Sequence, residues 1–70
     1  MQVIFTKHAN QRLSERNIKI KYVKETIEFP DYTITKNNKV EAHKKINDKT
    51  LKVVYIKEDK FIKIVTLIWK

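Results

Sequence analysis

Glycine and cysteine are absent from this chain, and proline occurs once, at Pro30. Without glycine there is no glycine-rich loop to cradle a phosphate, whether a P-loop or a dinucleotide fingerprint, so kinase, GTPase and Rossmann chemistries drop out. Without cysteine there is no disulfide and no thiolate metal site, which fits a reducing cytoplasm. No apolar run approaches the roughly 18 residues of a membrane span. The N-terminal stretch is too short for a signal peptide. A soluble, cytoplasmic protein without a membrane partner is the expectation. The two histidines, His8 and His43, have no ligand spacing such as His-x-x-x-His, and scattered carboxylates add none, so neither a metal nor another cofactor is expected. No carboxylate pair stands out for glycosidase chemistry.

What is present is positive charge. Seventy residues, read as one domain over 1–70, carry sixteen Lys and Arg against eight Asp and Glu, a net charge of +8. Such an excess suits a nucleic-acid or ribosome surface. It also suits the Lys and Ile bias of an AT-rich genome, or a hot habitat. Only two of the sixteen cations are Arg, and they form a ladder with a histidine: His8, Arg12, Arg16. Four-residue spacing places side chains on one helical face. Arg at both positions suggests a planar, bidentate donor for phosphate or carboxylate.

Residues 2–6 alternate and carry β-formers, predicting a first strand. Thr6 then caps a helix through about Asn17, with Ala9 and Leu13 on its small apolar side. Ile20, Val23 and Ile27 recur at helical spacing, and Phe29-Pro30 ends that second helix. Beyond Pro30 the period becomes two. Strands are expected at 31–35, 40–46, 51–56 and 61–69, with Asn standing in for Gly in the turns. The last two strands are partly apolar on both faces and should lie centrally, with helices over one face. The class is α+β, in the order β-α-α-β-β-β-β: two N-terminal helices on an antiparallel sheet. A thin core and an exposed edge strand, 2–6 or 31–35, leave room for a homodimer.

Several of these residues together resemble a known family. Phe5-Thr6-Lys7-His8-Ala9, Arg12, Glu15-Arg16-Asn17-Ile18, Val23, Ile27 and Pro30 are similar to the opening of the DUF4258 group, close to the BrnT-type toxins of the RelE-like superfamily. Leu51-x-Val53-Val54-Tyr55 and Ile64-Val65-Thr66-Leu67 resemble its later strands, so the similarity spans nearly the whole chain. It implies a RelE-like ribonuclease fold, RNA as substrate (ribosome-bound mRNA included) and a cognate antitoxin as partner. The family commonly has Gly where Asn17 stands and Ser or Thr where Lys19 stands. RelE-type toxins usually carry Arg and Lys on the sheet and a Tyr near the C-terminus. Here the sheet has Lys without Arg, and the chain ends at Trp69-Lys70.

Metal-free RNA cleavage needs an acid, a base and cations for the phosphorane. His8 and His43 are the acid–base candidates, Arg12 and Arg16 the phosphate clamps, and Lys45 the electrostatic support. Lys7, Lys44 and Tyr55 are candidate RNA contacts, the last by stacking on a base. Each also has a plain structural reading. His8 can anchor its helix to the sheet, and Arg12 and Arg16 can form salt bridges to Glu15, Glu25 or Glu28. His43 can pair with Glu41 or Lys45, Lys44-Lys45 can be a solvated pair, and Tyr55 and Trp69 can be core. Glu41, His43 and Lys45 share one strand face. If that face looks towards the ladder, His8, Arg12, Arg16, His43 and Lys45 converge. The leading expectation is a toxin-like, metal-independent ribonuclease. The alternative is a non-catalytic nucleic-acid- or protein-binding module using the same basic face.

Overall fold

The computed structural model describes residues 2–70. Its elements run β1 (Gln2–Phe5), α1 (Lys7–Glu15), α2 (Ile20–Glu28), β2 (Tyr32–Lys36), β3 (Lys39–Ile46), β4 (Lys49–Lys57) and β5 (Phe61–Trp69). Class and element order match the expectation from patterning. The sheet order is β1-β5-β4-β3-β2, with β2 to β5 as an antiparallel meander. β1 departs from the expected antiparallel sheet: it pairs parallel with β5, from Gln2↔Phe61 to Phe5↔Ile64. Three hairpins after β2 leave β5 running in the same direction as β1. A parallel pair needs a long crossover, and everything between Thr6 and Lys60 supplies it.

Both helices lie on one face of this mixed sheet. α1 packs on β5 and β1, and α2 on β4 and β3. Ala9, Ile18 and Val23 from the helical side meet Ala42, Ile46, Leu51, Val53, Tyr55, Ile62, Ile64 and Leu67 from the sheet in a single buried cluster. β4 and β5 are central because they are apolar enough to be covered. β2, at one edge, is exposed along its length.

The local chemistry of the helix ends is explicit. Thr6 accepts a hydrogen bond from the Ala9 N–H at 3.1 Å and donates its hydroxyl to the Val65 carbonyl at 3.3 Å. Val65 is the extra residue of a bulge, since Val54 faces Thr66 and Tyr55 faces Ile64. One side chain therefore caps α1 and fixes it to β5. At the other end Asn17 takes a left-handed φ of 52°. The Ile18 N–H bonds the Leu13 carbonyl at 2.9 Å and the Asn17 N–H bonds that of Ser14 at 3.4 Å, a Schellman closure with Ile18 buried. Asn37 and Asn47 hold the same region at φ 57° and 58°, opening the two tight hairpins. In a chain without glycine, asparagine fills each of these places. Lys19 caps α2 with no side-chain hydrogen bond.

Candidate functional site

The helical ladder is largely occupied by structure. Arg16 donates from Nη1 to the Leu67 carbonyl at 2.6 Å, and the Trp69 indole N–H donates to the Arg16 carbonyl at 3.0 Å. The last turn of α1 and the end of β5 are thereby tied together. Arg12 forms a 2.7 Å ion pair with Glu15 on its own helix. His8 and Lys7 are exposed at the start of α1. Lys44 turns towards the helices, where its ammonium donates to the Phe29 carbonyl at the end of α2 at 3.0 Å and lies 3.9 Å from Asp31. A cation there suits the negative end of the helix dipole. Tyr55 belongs to the core on the helix-covered face, with burial pushing its phenol pKa above the ordinary value. It is not offered to a base.

His43 and Lys45 lie on the opposite face. Ala42 packs under the helices, so its neighbour His43 points away from them. The conditional convergence of the ladder with His43 and Lys45 therefore does not occur. The sheet separates His8, Arg12 and Arg16 from the face that carries His43 and Lys45.

That second face is bare of helices and has a consistent chemistry. Cross-strand pairing places Tyr32 beside His43 and His43 beside Lys52. It likewise aligns Ile34, Glu41 and Val54, and Lys36 with Lys39. Lys63, opposite Ile56, adds a further cation on β5. The face thus presents Lys36, Lys39, Lys45, Lys52 and Lys63 around an apolar centre, with Glu41 as its strand carboxylate.

One strand in from the β2 edge sits His43, only 2% exposed. The Tyr32 ring stacks on it with centroids 4.4 Å apart and planes 7° from parallel. Neither ring nitrogen has a hydrogen-bond partner among the described residues. The nearest carboxylate oxygen, from Glu41, is 3.6 Å from Nε2, and the same oxygen is 3.6 Å from the Lys52 ammonium. A buried imidazole left without partners is costly in a purely structural role. Asp31 fixes the approach of the edge strand, accepting from the Lys45 N–H at 2.8 Å while its own N–H bonds the His43 carbonyl at 2.8 Å.

Tyr32 and Lys52 were not singled out from the sequence. The signal for Tyr32 was the two-residue turn Asn37-Asn38, which sets the register that brings it opposite His43. Among the described residues no group of three or more His, Asp or Glu side chains is placed to hold a metal ion. No helix is long and apolar enough to cross a membrane.

The family model described as "Domain of unknown function (DUF4258)" matches residues 5–69. No curated protein and no solved structure matches the chain. The match covers nearly the whole sequence, and the chain belongs to the DUF4258 family.

Proposed function

For this member of the DUF4258 family we propose that RNA is bound across the open face of the sheet. The observation that carries the reading is the charge of that face: Lys36, Lys39, Lys45, Lys52 and Lys63 against Glu41, on a surface the helices leave bare. Lysines spread over neighbouring strands suit a phosphate backbone, and a net charge of +8 draws a polyanion in. A cognate antitoxin would compete for the same face with an acidic segment.

Metal-independent cleavage of that RNA, in the manner of a toxin, is a second reading. The observation that favours it is the unpartnered imidazole of His43 with the Glu41 carboxylate 3.6 Å from Nε2. In this reading His43 takes the proton of the 2′-hydroxyl as that oxygen attacks phosphorus and returns it to the 5′-oxygen that leaves, Glu41 orients the imidazolium in between, and Lys45 and Lys52 neutralise charge on the phosphorane. The cover over His43 must open for the reaction, because the imidazole is buried beneath Tyr32 and its neighbours. His8 takes no part, being on the other side of the sheet.

Fluorescence anisotropy with a short labelled RNA tests the first reading. Lys45→Ala and Lys52→Ala each weaken binding and lower the slope of log K against log salt by about one, while Lys7→Ala changes neither. Equal losses in all three, or no binding by the parent protein, would contradict it. The same mixtures held in EDTA decide the second reading. Ends carrying 2′,3′-cyclic phosphate that disappear in His43→Gln support cleavage, whereas bound but intact RNA leaves a binding protein.

A further inference from the structure

The stacked pair at the edge of the open face narrows the kind of RNA it takes. Tyr32 stands on β2, the last strand of the sheet, and is 51% exposed. One face of its ring is held against His43, 4.4 Å away and nearly parallel. The strand that carries it is fixed at its start by the two Asp31 hydrogen bonds to β3. An aromatic ring so braced has little side-chain freedom left to lose when something stacks on its outer face. Phosphate partners stand inward of it. Lys45 is two residues beyond His43 on the same strand face, and Lys52 faces His43 from β4, about 10 Å from β2 at ordinary strand spacing.

We infer that the RNA is single-stranded where it meets this face, and that an unpaired base stacks on the outer face of Tyr32, continuing the stack begun by His43. The inference rests on the RNA reading above. Every base has a π-face, so an exposed aromatic flanked by lysines binds single strands with little regard to sequence. A duplex keeps its bases in its own stack and presents only phosphate, sugar and groove edges, which the ring cannot use. The lone hydrophobic alternative, that Tyr32 only shields His43 from water, gives the ring no role in affinity. Ile34, exposed beside Tyr32 on the same face, extends the apolar shelf for a neighbouring sugar or base.

The test compares a short unstructured RNA with the same sequence annealed to its complement, against the parent protein, Tyr32→Phe and Tyr32→Leu. Leucine keeps an apolar cover over His43 and removes the π-face. Circular dichroism on each variant reports whether the fold is retained. The single strand is expected to bind the parent more tightly than the duplex. Tyr32→Phe retains that affinity, and Tyr32→Leu loses about ten-fold or more for the single strand only. Oligoadenylate is expected to bind more tightly than oligouridylate, and that difference disappears in Tyr32→Leu. Equal affinity for single strand and duplex overturns the inference, as does equal loss in the Phe and Leu variants. If salt-dependent binding still falls in Lys52→Ala while Tyr32→Leu changes nothing, stacking fails and the basic face survives. If no RNA binds at all, both fail.

Discussion

Identical residue types serve opposite purposes on the two sides of this sheet. Arg16 and Lys44 spend their charge on backbone carbonyls, of Leu67 and Phe29, and so stitch helices to strands. On the uncovered face Lys45 stays exposed and Lys52 meets the Glu41 carboxylate, 3.6 Å away, across from the buried imidazole. Tyr55 and Tyr32 divide in the same way, one packed in the core and the other half exposed. The Tyr55 phenol has a measurable consequence. Burial raises its pKa in the folded state, so the neutral form is favoured by folding and its stabilising effect is complete below the unfolded value of about 10. That contribution is lost as pH rises through the higher folded value. Urea denaturation above pH 10 should therefore show a smaller alkaline loss of stability in Tyr55→Phe than in the parent. An unchanged alkaline slope would remove Tyr55 as its source.

The elements themselves were largely legible in the residues. Alternation at 2–6 and beyond Pro30, helical spacing of Ile20, Val23 and Ile27, and asparagines at the turns predict seven elements that the structure contains in that order. Two things were hidden. The parallel pairing of β1 with β5 depends on how many reversals separate them, not on any residue of either strand. The side of the sheet to which Glu41, His43 and Lys45 belong was also ambiguous, because both faces of β3 carry mixed polarity, Lys44 standing among the apolar residues of the covered face. The arginine ladder pointed to chemistry because spacing shows a shared face but not its partners. Leu67 and Glu15 are those partners here. The helix ends yield a direct test. Lys19 stands at the cap of α2 without a side-chain bond, whereas Thr6 caps α1 with one. Lys19→Ser should raise stability by about 0.5–1 kcal/mol and Thr6→Ala should lower it by about 1 kcal/mol or somewhat more, read from denaturation midpoints at constant m. A neutral Lys19→Ser would mean that the serine hydroxyl does not reach the free N–H groups of the first turn.

For the molecule as a whole, one thin core of helices on a sheet supports two surfaces of different character. The body measures 33 × 25 × 19 Å and has a single buried apolar cluster, so each large core side chain matters to a domain this small. The helical side meets solvent with Lys7, His8 and the Arg12–Glu15 pair. The sheet side carries five lysines, an apolar centre and the Tyr32–His43 stack. The proposed function belongs to the second surface. A nitrogen-15 NMR titration with a short single-stranded RNA at low salt separates the two residue by residue. The expected result is that amide shifts concentrate on Tyr32, Ile34, Glu41, His43, Lys45 and Lys52, with those of Lys7, His8 and Arg12 unmoved. Shifts that cluster on α1 and leave β2 and β3 unchanged would contradict the assignment of RNA to the open face.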